Sequence, residues 1–267
     1  MLAHFRPIFR KQLTGSATAK DDCGPAAARH AHDRLTLGSH DVPISKIRLR
    51  MGLPTGQATI NDVADFFAVQ GVHIQIFTRT DHFSTADLRT HLANGGFAVC
   101  LGDYEKVPEN LKGDLEFKDN HFVMLNELNP TIKGQVFEGV LVYDSLDDHR
   151  KDPPTGRRAP RGPIVWPFAV LESYLVNLSN APDNDITVAI FPRRRVRRID
   201  QNLVSVQPAP STIPASIGTW SAGELEHAGT FLGDPVNGDK RWFRVWWPEV
   251  AVSAFVPAAA VLESTTF

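Results

Sequence analysis

The stretch DDCGPAAARHAHDRL, residues 21–35, constrains the fold more than any other part of the chain. Its Cys-Gly-Pro step stands where an alanine-rich helix begins, because proline fits the first helical turn without losing a hydrogen bond. The small alanine side chains allow such a helix to lie close against a sheet. We therefore expect a helix over residues 26–37 that carries Cys23 at its amino end and packs on β-structure.

The position of Cys23 suits a reactive thiol. The thiolate is the nucleophilic form of cysteine, and the unpaired N–H groups at a helix N-terminus favour negative charge. Gly24 leaves the approach to the sulfur open. The stretch alone is equally compatible with an inert, buried cysteine that precedes a helix. The other cysteine, Cys100, ends the apolar run GFAVCL, which predicts a buried strand, so we expect no disulfide between the two.

The first 195 residues alternate helical and strand-like segments, which predicts a mixed α+β domain. Ser84 and Asp87 have the spacing of a capping box at the start of one helix. The segment PRRRVRRID, residues 192–200, is too rich in arginine for a core and marks a boundary. We expect a domain over 1–195, a basic linker over 196–202, and a small all-β barrel over 203–267, where short alternating runs and frequent Pro and Gly prevail.

Two strand-like runs, HFVMLNEL and FEGVLVYD, carry a histidine and an aspartate that can meet. If the runs form an antiparallel hairpin centred on Ile132–Lys133, His121 lies directly opposite Asp144. Opposed residues have Cβ atoms about 4.5–5.5 Å apart on one face, so imidazole and carboxylate would be neighbours. A register slip of one residue would separate their faces. Otherwise His121 is a strand-edge residue without a role and Asp144 initiates a turn, with Asp147 and Asp148 as further candidates to orient the histidine.

These segments together resemble the papain-like cysteine peptidases of the bacteriocin-processing type. The resemblance rests on DDCGPAA, GGFAVCL, NHFVMLNEL and VLVYDSL, in that order, and covers about residues 10–180. In that family an Asp-Cys-Gly-Pro helix start carries the nucleophile, a later strand carries the base, and an Asp closing the next strand orients it. The resemblance therefore implies a papain-like fold with Cys23 as nucleophile, His121 as base and Asp144 as orienting residue, without a cofactor.

The chain departs from that family at the glutamine that helps to stabilise the oxyanion. The family usually places it six residues before the nucleophile, where this chain has Ala17. The nearest glutamine, Gln12, lies eleven residues before Cys23, and the longer loop between them could return it to the site. We expect Gln12 to act with the backbone N–H of Cys23. Loss of one such donor typically lowers a rate by about 10²–10³.

The C-terminal region resembles bacterial Src-homology-3-like domains over about residues 203–263. The resemblance rests on LVSVQPAPSTIPASIGTWSAGE, RWFRVWW and AFVPAAAVLE, although Ala254 replaces the glycine usual before the aromatic-Val step. It implies a small β-barrel that serves as a binding module. We expect at least two of its tryptophans in the core, and any exposed ones would form a binding face for a cell-wall glycan or a protein. These tryptophans are Trp220, Trp242, Trp246 and Trp247.

Composition and charge exclude several classes of protein. The net charge is −2, so no overall field favours nucleic acid or an anionic membrane. No apolar run is long enough to span a bilayer. His30 and His32 are two residues apart, do not face one another on a helix, and are expected to be solvated rather than to bind a metal. The basic start lacks a continuous apolar core, so we expect no secretory signal and a cytoplasmic or phage virion-associated protein.

The sequence thus predicts a cysteine peptidase that cleaves amide bonds. A peptidase joined to a wall-binding type of barrel is the layout of phage or bacterial cell-wall lytic proteins, so peptidoglycan cross-links are the expected substrate by analogy. A protein precursor with a glycine-containing leader is the other expected substrate. The alternative class is a phage virion or tail component that uses an inactive or weakly active peptidase fold for assembly. A buried or blocked Cys23 and an extensive subunit interface would mark it.

Overall fold

The computed structural model divides into two compact units. The larger comprises Ile8–His32 and Val42–Pro192, and the smaller comprises Met1–Pro7, Asp33–Asp41 and Arg193–Thr266. The C-terminal segment of the smaller unit begins at Arg193. The unit also includes two N-terminal segments that the sequence analysis places in the first domain. No described helix is long and apolar enough to cross a membrane. The structure describes residues 5–10, 12, 21–38, 41–78, 81–115, 117–146, 162–176, 187–199, 201–212, 215–221, 223–249 and 251–266.

The larger unit combines an antiparallel sheet with helices, which confirms the predicted α+β class. Its helices are α1 (Cys23–Leu35), α2 (Ile44–Arg50), α3 (Ile60–Ala68), α4 (Thr85–Ala93) and α5 (Phe168–Val176). Its strands are β1 (Gln75–Phe77), β2 (Phe97–Asp103), β3 (Asn120–Leu128), β4 (Thr131–Ile132), β5 (Gln135–Val136), β6 (Val140–Asp144), β7 (Ile164–Trp166) and β8 (Thr187–Phe191). Six of them form one sheet in the order β1-β8-β2-β3-β6-β7, and β4 pairs with β5.

The helix predicted over 26–37 spans Cys23–Leu35, so Cys23 is its first residue. The backbone N–H of Ala26 donates to the carbonyl of Asp22 at 2.8 Å, which closes the first turn. The helix buries a surface of small side chains, as close packing of its backbone requires. These buried residues are Ala26, Ala27, Ala28 and Ala31.

The prediction that His30 and His32 are solvated is wrong, because both are buried. The Nε2 atom of His30 accepts a hydrogen bond from the backbone N–H of Arg10 at 2.9 Å. Its ring stacks on Phe9 at a centroid distance of 5.7 Å and lies 5.0 Å from the ring of Tyr143. Burial, aided by nearby arginine charge, lowers the pKa of His30 to about 3. The neutral ring therefore anchors the backbone of the segment that precedes the cysteine helix.

Two local predictions in this unit are confirmed. Ser84 and Asp87 form the capping box of α4, in which the Asp87 carboxylate accepts from the Ser84 backbone N–H at 2.9 Å. Cys100 lies in β2, is fully buried among apolar side chains and forms no disulfide. Burial raises the pKa of the Cys100 thiol, so this cysteine is an inert core residue.

A close contact between α5 and the sheet fixes the strand that carries His121. Gly102 pairs with His121 in the β2–β3 register. A Cβ atom on Gly102 would lie 2.3 Å from Cε1 of Tyr174, so only glycine admits the tyrosine ring here. The Tyr174 hydroxyl donates a hydrogen bond to the backbone carbonyl of His121. The ring and the hydroxyl together hold α5 against these two strands.

The smaller unit contains strands and one short 3₁₀ turn among its described C-terminal residues. The strands are β9 (Arg193–Arg198), β10 (Val204–Val206), β11 (Gly218–Trp220), β12 (Glu224–Val236), β13 (Asp239–Trp247), β14 (Val252–Pro257) and β15 (Val261–Thr266). Five form an antiparallel sheet in the order β14-β13-β12-β9-β15, and β10 pairs with β11. A bridge between Gln207 and Phe255 links the end of β10 to β14. The described strands form no closed barrel.

The predicted basic linker over 196–202 is wrong for its first residues, because Arg193–Arg198 forms β9 between β12 and β15. Glutamates of β12 stand directly opposite the arginines: Glu224 pairs with Arg197 and Glu226 with Arg195. Opposed charges stabilise antiparallel pairs, and alternation turns Val196 into the core, where it is fully buried. Arg195 Nη1 lies 3.9 Å from Glu224 Oε2, whereas Glu226 forms its close ion pair with Arg34.

The tryptophans of the smaller unit mainly build its core. Trp220, Trp242 and Trp247 are at most 2% exposed, which confirms that at least two of the four are core residues. Trp246 is partly buried and packs edge-on against Phe5 at a centroid distance of 5.1 Å. Three of the four side chains are therefore not available to an external ligand.

We expect Gly102→Ala to destabilise the protein, because the added methyl group overlaps the Tyr174 ring. Overpacking of this kind costs about 1–3 kcal/mol, which urea or thermal unfolding measures directly. Gly162→Ala is the matched control, since its added Cβ meets no atom within 4 Å and its φ is not positive. Equal stability of both variants and the parent protein would contradict the described packing of α5.

Candidate active site

Cys23 is held at the start of α1 by a tightly fitted glycine. A Cβ atom on Gly24 would lie 2.5 Å from Cβ of Ala58 and 3.4 Å from the ring of Phe122. Glycine at this position thus permits close approach to Ala58, two residues before α3, and to Phe122 of β3. The sequence suggests that Gly24 leaves a path open to the sulfur, whereas in the structure Gly24 is packed against Ala58 and Phe122.

A buried ion pair fixes the residue before the cysteine. Arg48 Nη1 donates to Asp22 Oδ1 at 2.8 Å, and both side chains are about one-twentieth exposed. The same guanidinium donates to the carbonyl of Asp21 at 3.3 Å and to that of Gly56 at 2.5 Å. Arg48 therefore ties the approach to Cys23 to the α2–α3 connection. The sequence analysis missed Arg48, because an arginine on a short helix gives no periodic or motif signal.

The predicted pair of His121 and Asp144 is present, although not in the predicted register. His121 Nε2 lies 2.9 Å from Asp144 Oδ1, and both side chains are buried. Asp144 stands opposite Val123, not His121. The turn of the connecting ribbon lies at Lys133 and Gly134, both with positive φ, one position later than expected. Moving the centre by one residue shifts the pairing by two, which keeps both side chains on one face.

The thiol of Cys23 interacts with the same imidazole. With Nε2 of His121 engaged by Asp144, Nδ1 is the ring atom left for the sulfur, and it makes no conventional hydrogen bond among the described residues. Burial alone would raise the pKa of the Cys23 thiol. The interaction with His121 and the backbone N–H groups of Phe122 and Gly24 outweigh burial and lower it. Hydrogen bonds between catalytic groups often tighten only when a substrate binds.

The pKa of His121 shifts in the opposite direction. Burial would lower it, but the hydrogen bond and charge of Asp144, with a smaller contribution from Cys23, raise it to about 9. For Asp144, burial would raise the pKa, and the contacts with His121 and Tyr104 lower it instead. A lowered thiol pKa beside a raised imidazole pKa favours a thiolate–imidazolium pair near neutral pH.

The Asp144 carboxylate accepts hydrogen bonds at both oxygens. Oδ1 accepts from the backbone N–H of Leu146 at 2.9 Å in addition to His121. Oδ2 accepts from the hydroxyl of Tyr104 at 2.5 Å. Tyr104 has no counterpart in the sequence analysis, since a tyrosine after an apolar strand is usually a core residue. Asp147 and Asp148, the further candidates to orient the histidine, lie outside the described residues.

Gln12 is buried beside the residue that follows Asp144. Its backbone N–H donates to the carbonyl of Ser145 at 3.2 Å, and its Oε1 accepts from the Ser145 hydroxyl at 2.7 Å. Its Nε2 atom is buried without a hydrogen-bond partner among the described residues. Such a donor is costly unless a ligand uses it. The amide is therefore oriented by its oxygen, and its nitrogen is left to donate.

The comparisons with known proteins add no family to this geometry. No family model matches the chain, and a search of curated proteins finds no significant match. Within the part of the chain that the structure describes, no three His, Cys, Asp or Glu side chains are grouped so as to hold a metal ion.

We expect iodoacetamide to alkylate Cys23 at pH values below the pKa of a free thiol, which is about 8.5. The lowered thiol pKa supplies thiolate there, and His121 stays protonated up to about pH 9. His121→Ala removes the pairing and leaves the effect of burial, so the inflection should move to higher pH. Mass spectrometry of the labelled peptides measures both, with buried Cys100 as an internal unlabelled control. An unchanged inflection in His121→Ala would contradict the pairing.

Proposed function

We propose that the larger unit has a papain-like fold and is a cysteine peptidase that hydrolyses amide bonds. The observation that carries the proposal is the chain of contacts from Cys23 through His121 to Asp144, with the thiol pKa lowered and the imidazole pKa raised. A nucleophile, a base and a group that orients the base are the parts that thiol catalysis needs. The order of the supporting motifs along the chain agrees with the bacteriocin-processing type of papain-like peptidase.

The reaction proceeds in two halves. The Cys23 thiolate attacks the substrate carbonyl carbon, and the C–N bond breaks as protonated His121 gives its proton to the leaving amine. The product is a thioester between the acyl group and Cys23. His121, now neutral, takes a proton from water, whose oxygen attacks the thioester carbonyl. The acid product leaves, and thiolate and imidazolium are restored.

The oxyanion formed in each half requires hydrogen-bond donors. The buried Nε2 of Gln12 and the backbone N–H of Cys23 are the proposed donors. The support for Gln12 is its unpartnered amide nitrogen and its attachment to Ser145, next to Asp144. His30 contributes indirectly, because it accepts from the backbone N–H of Arg10 and so anchors the segment that leads to Gln12.

We propose peptidoglycan cross-links as the substrate and a bacterial Src-homology-3-like fold for the smaller unit. This rests on the layout of a peptidase followed by a small β-unit, which is an analogy with phage and bacterial cell-wall lytic proteins. Trp220, Trp242 and Trp247 are buried, so the proposed binding surface of this unit is not formed by these side chains. A precursor with a glycine-containing leader is the other peptidase substrate.

One observation favours the alternative class, a virion or tail component that uses the fold for assembly. Cys23 is only 7% exposed, and a covered thiol is what an inactive module would have. The same burial also strengthens each charge interaction at the site, so the exposure alone does not decide between the two. Turnover decides it.

Hydrolysis of purified cell walls should occur with the parent protein and be lost in Cys23→Ala, because the nucleophile is absent. Release of free amino groups measures the reaction. Cys100→Ala removes the same atoms from an inert position and should retain the activity. If neither the parent protein nor Cys23→Ala hydrolyses cell walls or peptides with a glycine-containing leader, the assembly module is favoured.

Gln12→Ala should lower turnover by about 10²–10³ through loss of one oxyanion donor. Alkylation of Cys23 by iodoacetamide passes through no oxyanion, so its pH profile and rate should change little. Gln12→Glu offers a near-isosteric control that keeps an oxygen for Ser145 but supplies no donor, and it should be as impaired as Gln12→Ala. Full turnover in both variants would remove Gln12 from the proposed mechanism.

A further inference from the structure

Tyr104 is a fully buried residue that follows β2 and contacts the centre of the site. Its hydroxyl accepts a hydrogen bond from the backbone N–H of Gly113 at 2.7 Å. It also lies 2.5 Å from Oδ2 of Asp144. Because the N–H of Gly113 can only donate, the hydroxyl proton must point to the carboxylate. The direction of this hydrogen bond is thus set by the backbone.

A carboxylate held at one oxygen can still turn about its Cβ–Cγ bond. In Asp144, His121 and the Leu146 N–H use Oδ1, and among the residues that the structure describes Tyr104 is the partner of Oδ2. The second anchor fixes the plane of the carboxylate. The oxygen that faces His121 is thereby kept in line with the imidazole nitrogen.

The ring of Tyr104 also covers the imidazole. It meets the ring of His121 edge-on at a centroid distance of 5.0 Å, and Phe117 does so at 5.6 Å. Both come from the connection between β2 and β3. Aromatic cover keeps water from the His121–Asp144 hydrogen bond, and exclusion of water strengthens it.

We propose that Tyr104 is a positioning residue of the site, which orients Asp144 through its hydroxyl and thereby maintains the Cys23–His121 pair. The proposal rests on the proposed peptidase function. The Tyr104 hydroxyl bonds to Asp144 and to the Gly113 N–H, so its effect on Cys23 passes through Asp144 and His121. Without the hydroxyl, Oδ2 lacks a donor in a buried setting, and protonation of Asp144 becomes easier.

Several other titratable or charged groups face Asp144 or Tyr104, and they have to be separated from this effect. Burial and nearby arginine charge hold the pKa of His30 at about 3, and burial raises that of Tyr174 well above its ordinary value, so neither titrates near neutrality. The Lys112 ammonium lies 5.6 Å from the centre of the Tyr104 ring. The groups are Cys23 and His30 on α1, His121 on β3, Tyr174 on α5, and Lys112 beside Tyr104.

The test is the rate of Cys23 alkylation by iodoacetamide against pH in the parent protein, Tyr104→Phe and Tyr143→Phe. Tyr104→Phe keeps the ring and removes the hydroxyl. Asp144 then becomes protonated at a higher pH and ceases to support the imidazolium. The acid limb, which is the rise of the alkylation rate with pH, should therefore have its midpoint about half a pH unit or more higher. Cell-wall turnover, where measurable, should fall about tenfold with KM little changed.

Tyr143→Phe is the matched control, because Tyr143 precedes Asp144 in β6, points to the opposite face and packs on His30. Its acid limb should stay where it is in the parent protein. A rate that changes equally at every pH with an unmoved midpoint would show a general effect on the fold or on access to Cys23, and would overturn the proposal. An unmoved midpoint at full rate would overturn it as well.

The same experiment separates this proposal from the proposed function. If Cys23 of the parent protein reacts only as an ordinary or inert thiol, the peptidase proposal fails, and the positioning role fails with it. If the parent thiol is activated and Tyr104→Phe matches it, only the role of Tyr104 fails. Thermal unfolding of each variant shows whether the fold is intact.

Discussion

The contact between His121 and Asp144 is the interaction on which the site depends. Both side chains are buried, and burial alone would make each of them neutral. Two charges can persist in such a setting only when they are paired and when their remaining lone pairs and protons are satisfied. The carboxylate meets this condition with hydrogen bonds at both oxygens, and the imidazole bonds to the carboxylate through Nε2, while the Cys23 thiol further favours its charged form. The charge state of Cys23 therefore depends on Asp144, which acts on the sulfur through His121.

The remainder of the larger unit places these groups. Strand β3 sets the position of His121, and α5 fixes that strand through the Tyr174 ring over Gly102. Helix α1 presents Cys23, and the fit of Gly24 against Ala58 sets its depth. The two contacts differ in kind: the Tyr174 ring packs on Gly102, and the Ala58 methyl group packs on Gly24. In both cases the absence of a side chain allows the approach, which is why a glycine is needed at these two positions.

The α+β class could be predicted from the sequence, and so could the meeting of His121 with Asp144, since both lie on strand-like runs. The sequence also predicts Cys23 at the start of an alanine-rich helix, where the structure has it. The register was wrong by two, because neither the turn at Lys133 and Gly134 nor the β3–β6 register shift between Leu125 and Glu127 was anticipated. The residues still met, since a shift of two conserves the face of a strand. Had the error been one residue, the same reasoning would have failed.

Other features could not be read from local pattern, because they depend on long-range partners. His30 looks like a solvated helix residue until the segment that carries Arg10 covers it. The run Arg193–Arg198 looks like a linker until the glutamates of β12 stand opposite. Tyr104 bonds to Asp144 and Arg48 bonds to Asp22, and these partners lie 40 and 26 residues away in the chain, so no local spacing predicts the two contacts. Polar partners from elsewhere in the chain are the common element of these four features.

The thiolate–imidazolium pair is tested most directly by nuclear magnetic resonance of the intact protein, in which the ring-nitrogen chemical shifts of His121 report its protonation state. The account predicts an imidazolium with both nitrogens protonated at neutral pH, which loses its proton only near pH 9. Removal of the sulfur in Cys23→Ala should lower that pKa only in part, because Asp144 is the larger support. A neutral His121 ring at pH 7, titrating at or below the ordinary histidine value, would contradict the central claim.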